Sequence, residues 1–133
     1  MVEIISCDGT IKSDIEPGIS REQLLRIYEH MVLVRLVDER MILLQRQGRI
    51  GFYIGSRGEE ATHVASAAAL EPEDFIVPCY RELGAALIRG YPLYRFVCQL
   101  FGNRDDLFKG KQMPCHYAFR ESNIYSISSP IAT

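Results

Sequence analysis

The sequence predicts an α/β fold in which helices flank a parallel sheet, preceded by one long helix. Three observations predict it. A long stretch after Ser20 carries apolar residues at steps of three and four. Two short apolar runs, 74–79 and 123–128, read as strands. Helical segments with recognisable start and stop signals lie between them, the alternation expected of strands joined by helical crossovers.

Residues 1–19 form a polar lead-in containing Pro17-Gly18, and 20–133 form one domain. "SREQ" is a capping box, with Ser20 accepting from the amide three residues on and Gln23 reaching back. Leu24, Ile27, Met31, Val34, Val37, Met41 and Leu44 then make one apolar stripe, and Gly48 stops the helix. A second stripe, Leu25, Tyr28, Val32, Leu36 and Leu43, makes this helix apolar on more than one side, as if sandwiched in a larger assembly. "RIGFYIGSRG" predicts a short strand and a turn. "EEATHVASAAAL" predicts a short helix, its small residues suited to close packing and its carboxylates to the helix dipole. "DFIVPC" predicts a buried strand and "YRELGAALIRG" a helix closed by Gly90. "PLYRFVCQLFG" carries Pro near its start and Gly at its end, ordinary helix punctuation. A charged loop follows, and "NIYSIS" alternates like a strand.

Composition narrows the function classes. With 47% apolar and 24% charged residues the chain is globular in character. A net charge of −2 gives no electrostatic case for nucleic acid or an acidic membrane surface as partner. No apolar stretch approaches the ~20 residues of a membrane span, and the first residues lack a signal-peptide layout. The four cysteines, Cys7, Cys79, Cys98 and Cys115, form no C-x-x-C pair and are expected to stay reduced, which suits the cytoplasm.

Several residues could carry chemistry. Tyr80-Arg81 falls where the predicted strand gives way to a helix, the usual ligand edge of an α/β sheet. Arg81 there could grip a phosphate through two hydrogen bonds, and Tyr80 could add a hydroxyl. The competing reading pairs Arg81 with Glu82 and packs Tyr80 away. Gly55-Ser56-Arg57-Gly58 precedes a helix but lacks the third glycine of a dinucleotide loop and the Lys-Ser/Thr of a P-loop, so a tight turn is expected. His116, after a basic loop, could face a cleft. Adjacent residues on an extended segment point opposite ways, so Cys115 and His116 do not make a nucleophile pair. Ser128-Ser129-Pro130 reads as turn chemistry when taken alone.

Together these segments resemble a known family. "RLVDERMILLQRQGRIGFYIGSRGEEATHVASAAAL", "YRELG…RGYPL", "FGN…DLFKGKQMPCHY" and "SISSPIAT" are closely similar, in order and spacing, to the alpha subunit of thiamine-diphosphate-dependent 2-oxo acid dehydrogenases. This is the decarboxylating first component of multienzyme complexes. The resemblance runs from about Ser20 to Thr133, and its variants are nearer the branched-chain enzyme than the pyruvate one.

The resemblance implies a fold, a reaction and roles for residues. The fold would be the N-terminal part of a thiamine-diphosphate-binding domain. The reaction would be oxidative decarboxylation of a branched-chain 2-oxo acid or pyruvate, with acyl transfer to lipoyl groups. Tyr80 and Arg81 match the pair that holds the cofactor's diphosphate. Cys79 matches a position lining the cofactor site, where family members often carry a polar residue. Phe52 matches an aromatic of the substrate pocket, shared with Tyr80 and Ser129. Ser129 and the Ile131 backbone match groups bracing the aminopyrimidine end. Ser128, Pro130 and Thr133 match part of a monovalent-cation (K⁺) site. His116 falls on a recurrent family histidine and is the catalytic candidate. Mg²⁺ would hold the diphosphate together with Arg81, but its family motif has no match before Thr133. The implied partners are the remainder of the alpha subunit, a beta subunit completing a heterotetramer, and a lipoyl-bearing acyltransferase core. The location would be cytoplasmic, or the mitochondrial matrix in a eukaryote. The alternatives are a non-catalytic interaction module, or a split-subunit fragment needing a partner chain; on any of these readings the chain is expected to be inactive alone.

Overall fold

A computed structural model describes residues 4–12 and 18–126. Four α-helices and one 3-10 turn follow in chain order: α1 (Arg21–Arg46), α2 (Glu60–Ala68), α3 (Leu83–Ile88), α4 (Leu93–Phe101), and the turn Arg120–Ser122.

The capping box sets the start of α1. Ser20 Oγ accepts from the Gln23 amide at 3.1 Å, and Gln23 Oε1 accepts from the Ser20 amide at 2.8 Å. Gly48, at φ +70°, ends the helix, and the Arg49 amide donates back to the Leu44 carbonyl at 2.9 Å. Twenty-six residues at 1.5 Å each give α1 a length of about 39 Å. Its inner stripe buries Val34, Val37, Met41 and Leu44. Leu24, at the start of the same stripe, is exposed. The second stripe is exposed throughout, with Tyr28 61% and Leu36 58% accessible. The sandwiched helix is therefore covered on one side only by the described residues.

α1 packs against α2 and α3, whose small residues allow close approach. Val64 and Ala67 of α2, Leu83 and Ala85–Ile88 of α3, and Phe96 and Leu100 of α4 complete the core. Gly84 sits at the junction, where an added Cβ would stand 2.8 Å from Val64 Cγ2. Arg26 ties α1 to the end of α3 by donating to the Ile88 carbonyl at 2.8 Å. Arg89 donates to the carbonyls of Glu71, Pro72 and Asp74 at 2.6–3.0 Å, fixing the connection after α2.

The predicted parallel sheet is not present among the described residues. Ile76 and Ile124 form a single parallel bridge, with the Ile76 amide donating to the Asn123 carbonyl and the Tyr125 amide to the Ile76 carbonyl, both at 2.9 Å. The pairing and its direction follow the expectation, but the buried strand at 74–79 does not: Phe75 and Val77 are 64% and 57% exposed. A strand buried on both faces needs neighbours, and 123–125 is the one neighbour that the described residues supply. The 49–58 segment likewise forms a turn without a strand. In the lead-in, Ile5 and Ile11 bridge across the turn around Gly9.

The charged loop has its own organiser, which composition did not reveal. Asp106, 1% exposed, accepts from the amides of Phe108 at 3.0 Å and Gly110 at 2.7 Å, closing the turn before Cys115 and His116.

Candidate functional site

The site is built from three chain segments set over the core. The first is the turn 52–58. Asp38, on the buried stripe of α1 and 1% exposed, accepts from the Tyr53 hydroxyl and from the Ser56 amide at 2.8 Å. Burial, with the Asp38 carboxylate beside it, drives the Tyr53 hydroxyl far above its usual range, so it remains a donor. Gly55 lies so close to this carboxylate that a Cβ there would be 3.0 Å from Asp38 Oδ2. The next amide with a carboxylate partner is that of Gly58, which donates to Glu60 Oε2 at 2.9 Å, and Gly58 takes φ +93°. The Gly55–Gly58 segment is thus the tight turn expected, with the amides of Ser56 and Gly58 already engaged by carboxylates.

Glu60 and Arg35 lock this turn to α1. Arg35 Nε donates to Glu60 Oε1 at 2.5 Å, and the guanidinium holds the Glu60 carboxyl at about 2, down from 4.5. Lowering the folded-state pKa means that folding favours the ionised form. The resulting stability is fully present above pH 4.5 and is lost as pH falls through about 2. Glu60→Gln is accordingly expected to lower the urea midpoint at pH 7, with the difference from the parent closing as pH falls from 4.5 toward 2. A difference that stayed constant over that interval would rule out the ion pair as its source.

The second segment carries Tyr80 and Arg81. They do not open a helix: α3 begins at Leu83, after Glu82, and has six residues. Glu82 Oε2 accepts from the Arg81 amide at 3.1 Å, so the carboxylate caps backbone and leaves the guanidinium alone. Local geometry explains the shift, because the Glu82 side chain occupies an amide that a helix start would have presented to an anion. Tyr80 and Arg81 therefore lie ahead of the first turn of α3, and the expected helix-dipole contribution at this pair is not present. Arg81 Nη1 donates to the Gly55 carbonyl at 3.1 Å, its guanidinium carbon stands 5.6 Å from the centre of the Tyr80 ring, and the residue is exposed. No carboxylate pairs with that guanidinium among the described residues. Cys79 beside it is exposed and Tyr80 half-buried.

The third segment brings His116 to Tyr80, ring centres 6.3 Å apart. His116 is 3% exposed, so it lies beneath the surface and not in an open cleft. Its Nδ1 is 3.0 Å from the Pro114 carbonyl, which can only accept; Nδ1 therefore bears the hydrogen, and Nε2 carries the lone pair in the neutral ring. Gln99 of α4 donates to the His116 carbonyl and holds the segment from below. Burial pushes the Cys115 thiol up to about 11, and φ +67° turns its backbone into the left-handed region. Burial therefore disfavours a thiolate there, whereas the extended backbone expected for Cys115-His116 is replaced by a turn.

Phe52, Cys79, Tyr80, Arg81 and His116 thus come from three separated segments joined by the Arg81–Gly55 and Tyr80–His116 contacts, with Phe52 packed against the core three residues before Gly55. Ser128, Ser129, Pro130, Ile131 and Thr133 lie outside the described residues. Among the described residues no group of three His, Cys, Asp or Glu side chains could hold a metal ion. No helix among them is long and apolar enough to cross a membrane. Sequence reasoning missed Asp38, although its position signals it: the carboxylate lies four residues after Val34 and three before Met41, on the buried stripe.

The described residues thus set an arginine fork beside a tyrosine and a buried histidine on a helical scaffold. The chain belongs to the dehydrogenase E1 component family, whose sequence profile matches residues 28–133. It is 48% identical over 132 residues to 2-oxoisovalerate dehydrogenase subunit alpha 1, mitochondrial, of Arabidopsis thaliana, covering 98% of this chain and 28% of that protein. It is also 48% identical over 118 residues to the mitochondrial 2-oxoisovalerate dehydrogenase subunit alpha of Bos taurus, covering 89% of this chain and 26% of the relative. The counterpart of Caenorhabditis elegans is 48% identical over 118 residues, 89% of this chain and 27% of its own length. The chain therefore spans little more than a quarter of the length of these relatives. The family is generally thiamine diphosphate dependent.

Proposed function

We propose that this chain is part of the alpha subunit of a 2-oxo acid dehydrogenase first component that acts oxidatively on a branched-chain 2-oxo acid and passes the acyl group to a lipoyl arm. The observation that carries the reading is the Arg81 guanidinium, docked on the Gly55 carbonyl and unpaired with any carboxylate among the described residues. An exposed, oriented cation of this kind fits a diphosphate, which two parallel hydrogen bonds from a planar fork recognise well.

Arg81 and Tyr80 would hold the diphosphate of thiamine diphosphate, with Cys79 lining the same site. Mg²⁺ would share the charge of the diphosphate through residues outside these 133. Ser129 and the Ile131 backbone would brace the aminopyrimidine, and Phe52, Tyr80 and Ser129 would form one side of the substrate pocket. Ser128, Pro130 and Thr133 would contribute to a K⁺ site. When bound, the cofactor supplies the electron sink that loss of carbon dioxide from a 2-oxo acid requires. This chain's own residues bind and orient it, and His116, with a lone pair on Nε2, is the group able to take or return a proton beside Tyr80.

Residues 20–133 would then be an incomplete thiamine-diphosphate-binding domain. The Ile76–Ile124 bridge would start its parallel sheet, and exposed Phe75 and Val77 would be covered by strands from the rest of the subunit. The open outer stripe of α1, with Leu25, Tyr28 and Leu36, suits burial against the remaining subunits of an alpha–beta heterotetramer, itself docked on a lipoyl-bearing core. A net charge of −2 is consistent with protein and small-molecule partners over nucleic acid. The mitochondrial relatives favour the matrix in a eukaryote, with the cytoplasm as the counterpart in a bacterium.

The test is Arg81→Ala in the full alpha subunit assembled with its beta subunit. Losing a charge-assisted hydrogen bond to the diphosphate should weaken cofactor binding by ~1.5–3 kcal/mol, roughly 10- to 150-fold in Kd by calorimetric titration. Unchanged affinity would sink the diphosphate assignment, and an assembled enzyme without thiamine diphosphate affinity would favour the non-catalytic module instead.

A further inference from the structure

We infer that Asp38 is a positioning residue for the cofactor's diphosphate, acting through the Gly55 carbonyl on Arg81. The inference rests on the proposed role of Arg81 and adds a part of the site that lies one hydrogen-bonded step beneath it.

Arg81 is exposed, and a side chain with that much freedom loses rotamer entropy when it must adopt one geometry. The contact that fixes its guanidinium from the protein side is the Gly55 carbonyl, 3.1 Å from Nη1. A carbonyl on a turn is only as well placed as the turn. Here the turn is anchored at both sides of Gly55 by one buried carboxylate. Asp38 Oδ1 receives the Tyr53 hydroxyl two residues before Gly55, and Oδ2 receives the Ser56 amide one residue after it at 2.8 Å, with the Ser56 hydroxyl at 3.4 Å. Gly55 itself rides directly on the carboxylate, its missing Cβ 3.0 Å from Oδ2 and 3.1 Å from Cγ. The carboxylate thus sets the height and tilt of the Gly55 peptide, and that peptide selects the arginine rotamer.

The acceptor chemistry explains why a carboxylate stands in this core position. Tyr53 and Ser56 both present donors, and an ionised carboxylate accepts from both at once. An asparagine of the same shape has one oxygen and one NH₂. Its oxygen can keep the Ser56 amide, but its NH₂ must then donate to the Tyr53 oxygen, which reverses that bond and replaces two charge-assisted contacts with weaker neutral ones. Asp38→Asn therefore loosens the turn without opening a cavity. Gly55→Ala approaches the same contact from the opposite side, leaving every hydrogen-bonding group in place while forcing the peptide and the carboxylate apart.

The experiment is a double-mutant cycle on the full alpha subunit assembled with its beta subunit, read as thiamine diphosphate Kd by calorimetric titration. Asp38→Asn should weaken binding roughly 3- to 10-fold, less than Arg81→Ala because the guanidinium is still present. Gly55→Ala should weaken it in the same range and serves as the independent variant should Asp38→Asn fail to assemble. Once Arg81 is gone, the anchoring has nothing left to orient. The pair Asp38→Asn with Arg81→Ala should then bind within about twofold of Arg81→Ala alone, whereas merely structural damage would add in full. Additive losses, or Asp38→Asn and Gly55→Ala both binding like the parent while Arg81→Ala is weakened, would overturn the positioning role and leave the diphosphate reading intact. Unchanged binding in Arg81→Ala would overturn both.

Discussion

Phe96→Ala is expected to destabilise the fold by ~3–5 kcal/mol, the range for truncating a fully buried aromatic in a packed core. Phe96 is 1% exposed on the inner face of α4, and its ring meets two others edge-on: Tyr53 at 6.3 Å and 69°, Tyr117 at 5.6 Å and 87°. Such edge-to-face pairs add about 0.5–1.5 kcal/mol beyond the area they bury. Collapse into the vacated space is hard, because Tyr117 is also stacked on Tyr91 at 5.0 Å and Tyr53 is held by Asp38. The loss reaches the site through the same neighbours. Tyr53 opens the turn that carries Gly55, and Tyr117 follows His116 directly. Urea unfolding of Phe96→Ala checks the energy, and Phe96→Leu, which keeps most of the volume, should lose about half as much or less. A loss under about 1 kcal/mol for the alanine variant would mean that the aromatic cluster relaxes freely and does not brace the site.

Legibility in the sequence followed the range of the interactions. The capping box at Ser20 and the stop at Gly48 are contacts within a few residues, and both ends of α1 form as written. The two apolar stripes of α1 were equally readable, but pattern alone cannot say which is covered; Val34 and Met41 are buried while Tyr28 and Leu36 are open. The sheet failed for the same reason. Ile76 finds its parallel partner at Ile124, yet strand character at 74–79 depends on neighbours on both sides. Tyr80-Arg81 is expected from the sequence to open a helix and does not, since Glu82 delays the helix to Leu83. The Arg81–Gly55 and Tyr80–His116 contacts join positions 26 and 36 residues apart, and no local rule predicts them. The family resemblance singles out Tyr80, Arg81 and His116 one by one, but not the contacts that join them. Asp38 fell between the two, visible as a charge on a buried stripe but meaningful only once Tyr53 and Ser56 are seen to need one shared acceptor.

Gly84→Ala tests how the site is braced from the opposite side. In an open helix, Gly→Ala stabilises by roughly 0.5–1 kcal/mol, because alanine loses less backbone entropy on folding. Gly84 lies inside α3 without a positive φ, so backbone preference alone favours the substitution. Packing reverses the sign. The new Cβ would stand 2.8 Å from Val64 Cγ2, 3.3 Å from His63 Cβ and 3.4 Å from Val34 Cγ2, an atom of α1 and two of α2 converging on one point of α3. Val34 and Val64 are fully buried β-branched side chains with few alternative rotamers, so α3 itself must move. The expected net loss is about 1–3 kcal/mol, the usual range for overpacking a close-packed core. Displacing α3 also drags Glu82 and Arg81, so the cofactor affinity of the assembled enzyme should fall in the same variant. Val64→Ala removes the methyl that the new Cβ meets. Alone it should destabilise by leaving a void, but combined with Gly84→Ala the two should cost clearly less than their sum, because each fills or clears the space the other disturbs. Simple additivity in urea unfolding would show that the Gly84 contact with Val64 does not set the spacing of α2 and α3.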